Sequence, residues 1–255
     1  MTSKTAFLIL SCDRYSGLWE KHFECLDHYW PDCPYPKYLL TNYKDSNRPD
    51  IKTIQVGEDQ SWSANLKKAL EVLRSEHDHV LLTFDDLFLV ANVNNRDLLN
   101  VIESFHSLNG QFLQLIKWHK KPKIINDLLG LIDPGSLYRP NCVYALWNIE
   151  TLSNLLVDTE SAWQFERNGA HRSDQYDGFY VVHEDIFKYR NTVIRGKIVP
   201  KDVITFNLQN IPNLKVMTTM DLIRFRSRYW AFRLFLFFVP RKLQVPLAKA
   251  KSLLK

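Results

Sequence analysis

Val80-Leu81-Leu82-Thr83-Phe84-Asp85-Asp86-Leu87-Phe88-Leu89-Val90 is an apolar run that stops at two adjacent carboxylates and then resumes. A short run of this kind reads as a strand buried on both faces, Val80 to Phe84, with the acidic pair at its carboxyl end. On its N-terminal side, Leu66, Leu70 and Leu73 share one face of a helix that Ser61 or Ser63 can cap. Tyr38-Leu39-Leu40 and Ile51 to Val56 read as strands separated by the turn-rich Asn42 to Asp50. Ala6 to Leu10 is a further strand, and Trp19, Phe23, Leu26 and Trp30 form one stripe of a helix that Pro31 ends. On the C-terminal side, a helix from Arg96 to Leu108 with Leu98, Ile102 and Phe105 inward leads into a strand at Phe112 to Ile116. This alternation predicts an α/β fold, a Rossmann-type, mostly parallel sheet flanked by helices. Ligands of such sheets bind beyond the carboxyl ends of the strands. Three predicted strand endings are polar, Ser11-Cys12-Asp13-Arg14-Tyr15, Thr41-Asn42-Tyr43 and Thr83-Phe84-Asp85-Asp86, and they would converge on one crevice. After about residue 120 the periodicity weakens; Lys120-Lys121-Pro122-Lys123 and Asp133-Pro134-Gly135 mark loops that would form a wall or lid.

Length and composition fit one main domain: 255 residues, 45% hydrophobic and 24% charged. The eight glycines are so spaced that G-x-G-x-x-G cannot occur, and neither a P-loop nor G-x-S-x-G is present. Cys12, Cys25, Cys33 and Cys142 form no C-x-x-C and read as reduced thiols. The apolar stretch after Met-Thr-Ser-Lys-Thr spans five residues, short for a secretory leader, so it reads as the first strand. Together these features predict a cytoplasmic location.

Asp85-Asp86 is the sharpest local signal. Adjacent, half-buried carboxylates repel unless a cation neutralises them, and hard oxygen ligands suit Mg2+ or Mn2+ carried in with a diphosphate. The alternative is a turn or capping pair, common where strands end. In Trp163-Gln164-Phe165-Glu166, flanking aromatics would desolvate Glu166, raise its pKa and suit it to act as a general base. A helix with an exposed Glu is the competing reading. Asp13 can accept from a base or ribose, and Arg14 and Lys67-Lys68 can neutralise phosphates. A helix start near Ser63, with Trp62 and Asn65, would offer N–H groups to an anion. The eight histidines show no H-E-x-x-H spacing, although His171 and His183 lie near Glu166 in sequence and could complete a metal site.

Taken in order, these pieces resemble the bacterial GT-A-type glycosyltransferases of O-antigen, capsule and lipooligosaccharide clusters. The resemblance runs over roughly residues 5 to 200. It is carried by Ile9-Leu10-Ser11-Cys12-Asp13 with Trp19, and by Tyr29-Trp30-Pro31-Asp32-Cys33-Pro34-Tyr35. Ser61-Trp62-Ser63 with Leu66 to Leu70, Leu81 to Phe88, and Ala162-Trp163-Gln164-Phe165-Glu166 complete it. It implies a GT-A-like fold and transfer of a sugar from a nucleotide-sugar donor to a saccharide hydroxyl, inverting and metal-assisted. The strand-end pair would then act as the D-x-D motif, Asp85 toward ribose or metal and Asp86 toward metal. The chain has adjacent Asp-Asp in its place. Asp13, Arg14, Trp62 and Asn65 would line the nucleotide pocket, and Glu166 would be the catalytic base. Two rival classes are a sugar nucleotidyltransferase, whose Gly-rich loop Ser11 to Ser16 lacks, and a non-catalytic, membrane-associated sugar-binding protein.

The net charge of +5 divides unevenly. Residues 221–255 hold nine Lys/Arg against Asp221 alone, +8, which leaves residues 1–220 at −3. A GT-A-like domain over 1–220 would therefore carry a basic, aromatic segment over 221–255. Tyr229 to Pro240, interrupted by Arg233, is too short to span a bilayer. With Arg224, Arg226, Arg228, Arg241 and Lys242 around it, the segment has the composition of an amphipathic helix in an anionic membrane interface. The competing reading packs its aromatics on the body or on a second subunit. No nucleic-acid reader module accompanies it. The expected location is the inner face of the cell membrane, peripheral, where a lipid-linked or oligosaccharide acceptor would be met.

Overall fold

The computed structural model describes residues 4–118 and 122–239. Lys120, Lys121, Pro240, Arg241 and Lys242, named above, lie outside the described residues, as do His119, Lys249, Lys251, Lys255 and the side chain of Arg233.

The first half follows the predicted alternation: β1 (Thr5–Leu10), α1 (Trp19–Tyr29), β2 (Lys37–Thr41), β3 (Ile51–Gln55), α2 (Trp62–Leu73), β4 (His79–Phe84), β5 (Leu87–Leu89), α3 (Asn95–Ser107) and β6 (Phe112–Gln114). The second half adds β7 (Lys123–Ile124), β8 (Leu129–Leu131), β9 (Ala145–Asn148), α4 (Ile149–Leu155), α5 (Ala162–Arg172) and β10 (Phe179–Val182). It ends with β11 (Tyr189–Asn191), β12 (Val193–Ile194), β13 (Lys197–Ile198), α6 (Pro200–Thr205), β14 (Lys215–Val216) and α7 (Thr219–Phe238).

The central sheet has the order β3-β2-β1-β4-β9-β6-β10-β8-β7. β3, β2, β1 and β4 are parallel neighbours, as are β6 and β10. Between those blocks β9 runs antiparallel to both β4 and β6, and β8 runs antiparallel to β10. Every residue of β1 is buried. Phe7 and Ile9 enter one core with Trp19, Phe23 and Leu26 of α1 and Leu98, Ile102 and Phe105 of α3. Ala6, Leu8 and Leu10 enter the other with Leu66, Leu70 and Leu73 of α2 and Phe165 of α5. This two-sided burial explains the continuous apolar runs, and each fully buried Leu or Phe contributes roughly 1.5–3 kcal/mol.

The helix starts follow capping chemistry. Ser61, the first of the two serines considered, caps α2 by accepting from the Ala64 N–H at 3.0 Å. Asn94 caps α3, and Ser161 with Gln164 forms a capping box on α5. At the end of α1 the Trp30 indole donates to Asn95 at 2.7 Å, while its ring packs edge-on against Phe7 and Phe187. Among the described residues no helix is long and apolar enough to cross a membrane.

Candidate functional site

The carboxyl ends of β1, β2, β3 and β4 meet at one edge of the sheet, as the strand endings predict. Asp13 ties two of them together. Its carboxylate accepts the backbone N–H groups of Asn42, Tyr43 and Lys44 at 3.1–3.2 Å, and its own N–H donates to the Asn42 side chain. Asp13 thus holds the crevice wall in shape, while Arg14 beside it is exposed. Asp59 accepts from the Asn65 side chain at 2.7 Å. The Cys12 thiol is pushed up mainly by burial, with the charges of Asp85 and Asp59 adding to the rise. Cys12 is thus within electrostatic range of Asp85 and of the Asp59 that Asn65 holds.

At the end of β4 the Asp85 N–H donates to the Leu10 carbonyl, and the Ser11 hydroxyl donates to the Asp85 carboxylate. The Trp19 indole N–H in turn donates to Ser11 at 2.7 Å. Asp85 is only 5% exposed. Burial and the Asp86 charge raise its carboxyl well above the usual range, against the hydrogen bonds from Ser11 and Trp19. Asp86 is half-buried, and burial raises its carboxyl too. Its carbonyl accepts both the N–H and the hydroxyl of Thr192, at 2.9 and 3.0 Å. Thr192 follows β11, which pairs with β5 directly after the acidic pair. A second chain segment thereby fixes the backbone of Asp86.

Two adjacent carboxylates, one buried and one half-buried, are neutralised by a proton or by a cation. The donors are hard oxygens that fit Mg2+ or Mn2+, but no group of three His, Cys, Asp or Glu among the described residues could hold a metal ion. The pair therefore fits a cation that completes its coordination with oxygens of a bound ligand. His171 and His183 do not join it: His171 pairs with Asp174 at 3.6 Å, and His183 meets the Asn126 carbonyl at 3.0 Å.

Trp62 links the two acidic positions. Its ring stacks on Phe84, centroids 6.5 Å apart, and packs against Phe165 at 5.6 Å; these are the residues immediately before Asp85 and Glu166. The anion-binding helix start expected near Ser63 is corrected by the hydrogen bonding. The Ser63 N–H donates to the Glu160 carbonyl, and the N–H groups of Ala64 and Asn65 donate to Ser61. Those donors are already used, by α2's own cap and by the approach to α5.

Glu166 is 8% exposed, so the reading of it as an exposed helical Glu does not apply. Burial pushes its carboxyl up to about 7, against a hydrogen bond from the Cys142 N–H at 3.2 Å. Trp163, expected to shelter it, is instead 71% exposed. The side chain of i−3 on this helix faces water, whereas Phe165 enters the core. Cys142 belongs to the loop that enters β9 from the same edge of the sheet as Asp85 and Asp86. That loop carries left-handed backbone at Tyr138 (φ 57°) and Tyr144 (φ 44°), conformations that cost of order 1–3 kcal/mol each. Tyr144 is held there by its hydroxyl, which donates to the Leu87 carbonyl at 2.9 Å, and by stacking on Phe187 at 4.5 Å.

Tyr189, which the sequence pattern did not single out, pairs with Leu89 across β11 and β5 and packs against Tyr144 with ring centroids 5.4 Å apart. Burial pushes its hydroxyl up to about 12, with the charges of Asp185, Glu166 and Asp86 adding, so both acidic positions lie within its electrostatic reach. It also borders a cleft of about 350 Å3 lined by Ile116, Lys117, Trp118, Asp185, Phe187 and Lys188. Across the edge of the sheet the order is thus the β2–β1 crevice, the acidic pair on β4, the Glu166 anchor on β9, and this cleft beyond β6 and β10.

No family model matches the chain, and no curated protein does. Among solved structures it is similar to two of LgtC: an active-site mutant, and galactosyltransferase LgtC in complex with donor and acceptor sugar analogs. Each shows 12% identity and a TM-score of 0.41 over 84% of this chain and 84% of the other. A protein from STIV aligns at 10% identity and a TM-score of 0.43, covering 75% of this chain and 86% of its own.

Proposed function

We propose that the protein transfers a sugar from a nucleotide-sugar donor to a saccharide hydroxyl, in one displacement that inverts the anomeric centre. The observation that carries this reading is the joint placement of the Asp85–Asp86 pair and a separately buried Glu166 at the carboxyl-end edge of the sheet, with the Trp62 ring packed against both Phe84 and Phe165. The donor's nucleotide would lie in the crevice of Asp13, Arg14, Trp62, Asn65 and Asp85. Asp85 and Asp86 are the residues that would hold Mg2+ or Mn2+, which when bound supplies positive charge against the leaving diphosphate.

Glu166, with a carboxyl near 7, is poised to lose and regain a proton at neutral pH. Its carboxylate takes the acceptor's hydroxyl proton as that oxygen bonds to the anomeric carbon, and the bond from that carbon to the diphosphate oxygen breaks. The Cys142 N–H holds the carboxylate in place. The cleft of Trp118 and Tyr189 offers aromatic faces and polar edges of the kind that receive a sugar ring, on the far side of the pair from the nucleotide crevice. Assembly of a bacterial surface polysaccharide is the setting that fits this chemistry. Thermal-shift screening against UDP-, GDP-, CMP- and dTDP-sugars, with and without Mn2+, tests it. Stabilisation by one nucleotide class, enhanced by Mn2+ and followed by slow release of the nucleotide, is expected. No stabilisation by any donor would remove the proposal.

A further inference from the structure

α7 has two apolar faces, and among the described residues only one of them packs on the body. Its inner face packs on the body, where the Phe232 ring meets Tyr138 edge-on at 5.7 Å. Its start is pinned by the Thr218–Asp221 capping box and by a 2.8 Å ion pair from Lys197 to Asp221. The outer face carries Met220, Ile223, Trp230 and Leu234, all more than half exposed, at i, i+3, i+10 and i+14, which is one stripe of an α-helix. Arg224 and Arg228 flank this stripe on one side and Arg226 on the other, and beyond Asp221 the helix contains no acidic residue.

We infer that the outer face of α7 is a docking surface for an anionic bilayer, with the stripe entering the interface and the arginines meeting phosphate headgroups. The charge pattern selects this occupant. A second copy docked on the same face would bring two arginine-flanked stripes together, with no acidic residue there to offset them. Lipid phosphates provide that offset, and Trp at a membrane interface suits its ring with one polar edge. Because the inner face packs on Tyr138, in the same loop whose Cys142 N–H holds Glu166, the bilayer would lie on the side of the body that carries the Glu166 site. In the proposed transfer, this would place a lipid-borne acceptor near the base; the docking itself does not depend on that reading.

The test is flotation of the full chain with vesicles of phosphatidylcholine alone and with phosphatidylglycerol added, with fluorescence quenching by brominated lipid. Binding that needs phosphatidylglycerol, weakens with salt and quenches Trp230 is expected. Replacing Arg224, Arg226 and Arg228 together by Ser should lower the partition coefficient by roughly 100-fold. Trp230→Glu with Leu234→Glu should abolish it, while thermal unfolding and donor-stimulated nucleotide release stay as in the parent. Failure of the parent to float, or equal flotation of the Glu variant, would overturn the inference. So would a concentration-dependent dimer that the Glu variant dissolves without any vesicle binding. Nucleotide release, measured in the same samples, reports on the transferase reading separately.

Discussion

The backbone N–H of Cys142 donates to Oε1 of Glu166 across 3.2 Å, a bond between the loop entering β9 and the first turns of α5. It joins the one buried carboxylate of α5 to the edge of the sheet that carries Asp85 and Asp86, because β9 lies beside β4. The geometry of the proposed base is therefore set by backbone rather than by a second side chain. A glutamine at this position keeps an oxygen that can accept the same bond.

Glu166→Gln should fold and should lose about 100-fold or more in turnover, the usual range for a general base. Its stability should also reveal the buried charge. The folded carboxyl is raised from the ordinary 4.5 to about 7. The proton uptake that favours the folded state is complete below about 4.5 and is lost as pH rises through 7. At pH 8 the variant should be more stable than the parent by up to about 3 kcal/mol, and this difference should vanish near pH 4.5. Chemical denaturation at the two pH values measures it.

Asp86→Asn should remove any stabilisation that Mn2+ adds to a bound nucleotide and should reduce turnover at least as strongly as Glu166→Gln. Thr192→Val is the milder companion. It deletes one of two donors to the Asp86 carbonyl and should cost about 1 kcal/mol of stability. Near-normal Mn2+ response in Asp86→Asn would take that residue out of the cation site.

Asp13→Ala should act mainly on the fold. The carboxylate accepts three backbone N–H groups from residues 42–44, and hydrogen bonds to a charged group contribute roughly 1.5–3 kcal/mol. The melting temperature should fall by about 4–8 °C. Arg14→Ala, at an exposed position, should leave it unchanged and weaken donor binding. The reverse pattern would contradict the wall-tying role.

Trp118→Ala should raise the acceptor KM by roughly 10-fold, the loss of about 1.4 kcal/mol of contact, and leave the donor KM unchanged. Steady-state kinetics with each substrate varied in turn distinguishes this from a donor effect. An unchanged acceptor KM would move the acceptor away from the cleft of Trp118 and Tyr189.

Much of the first half was legible because its signals are local. The leucines of α2, the stripe of α1 and the unbroken apolar strands each declare themselves within a dozen residues, and all lie where periodicity puts them. β9 was not legible. Its four residues, Ala-Leu-Trp-Asn, follow a loop and pair antiparallel with strands more than 30 residues away in sequence, so nothing nearby marks them. The site divides in the same way. Asp85, Asp86 and Glu166 stand out as residue types in apolar company, but what shelters Glu166 is not its neighbour Trp163, which faces water. Thr192 reaches Asp86 only because β11 pairs with β5, a contact across about a hundred residues. The helix start at Ser63 misled for a related reason: its free N–H groups are taken by Ser61 and by the Glu160 carbonyl, and the latter is visible only after folding.

The most direct test of glycosyl transfer with Glu166 as the base is a time-resolved proton NMR assay. The full chain would be given the nucleotide-sugar that stabilises it, together with a saccharide acceptor. The account predicts a first-formed glycoside of inverted anomeric configuration, with no detectable product from Glu166→Gln over the same interval. A product of retained configuration, or turnover by Glu166→Gln close to that of the parent, would contradict it.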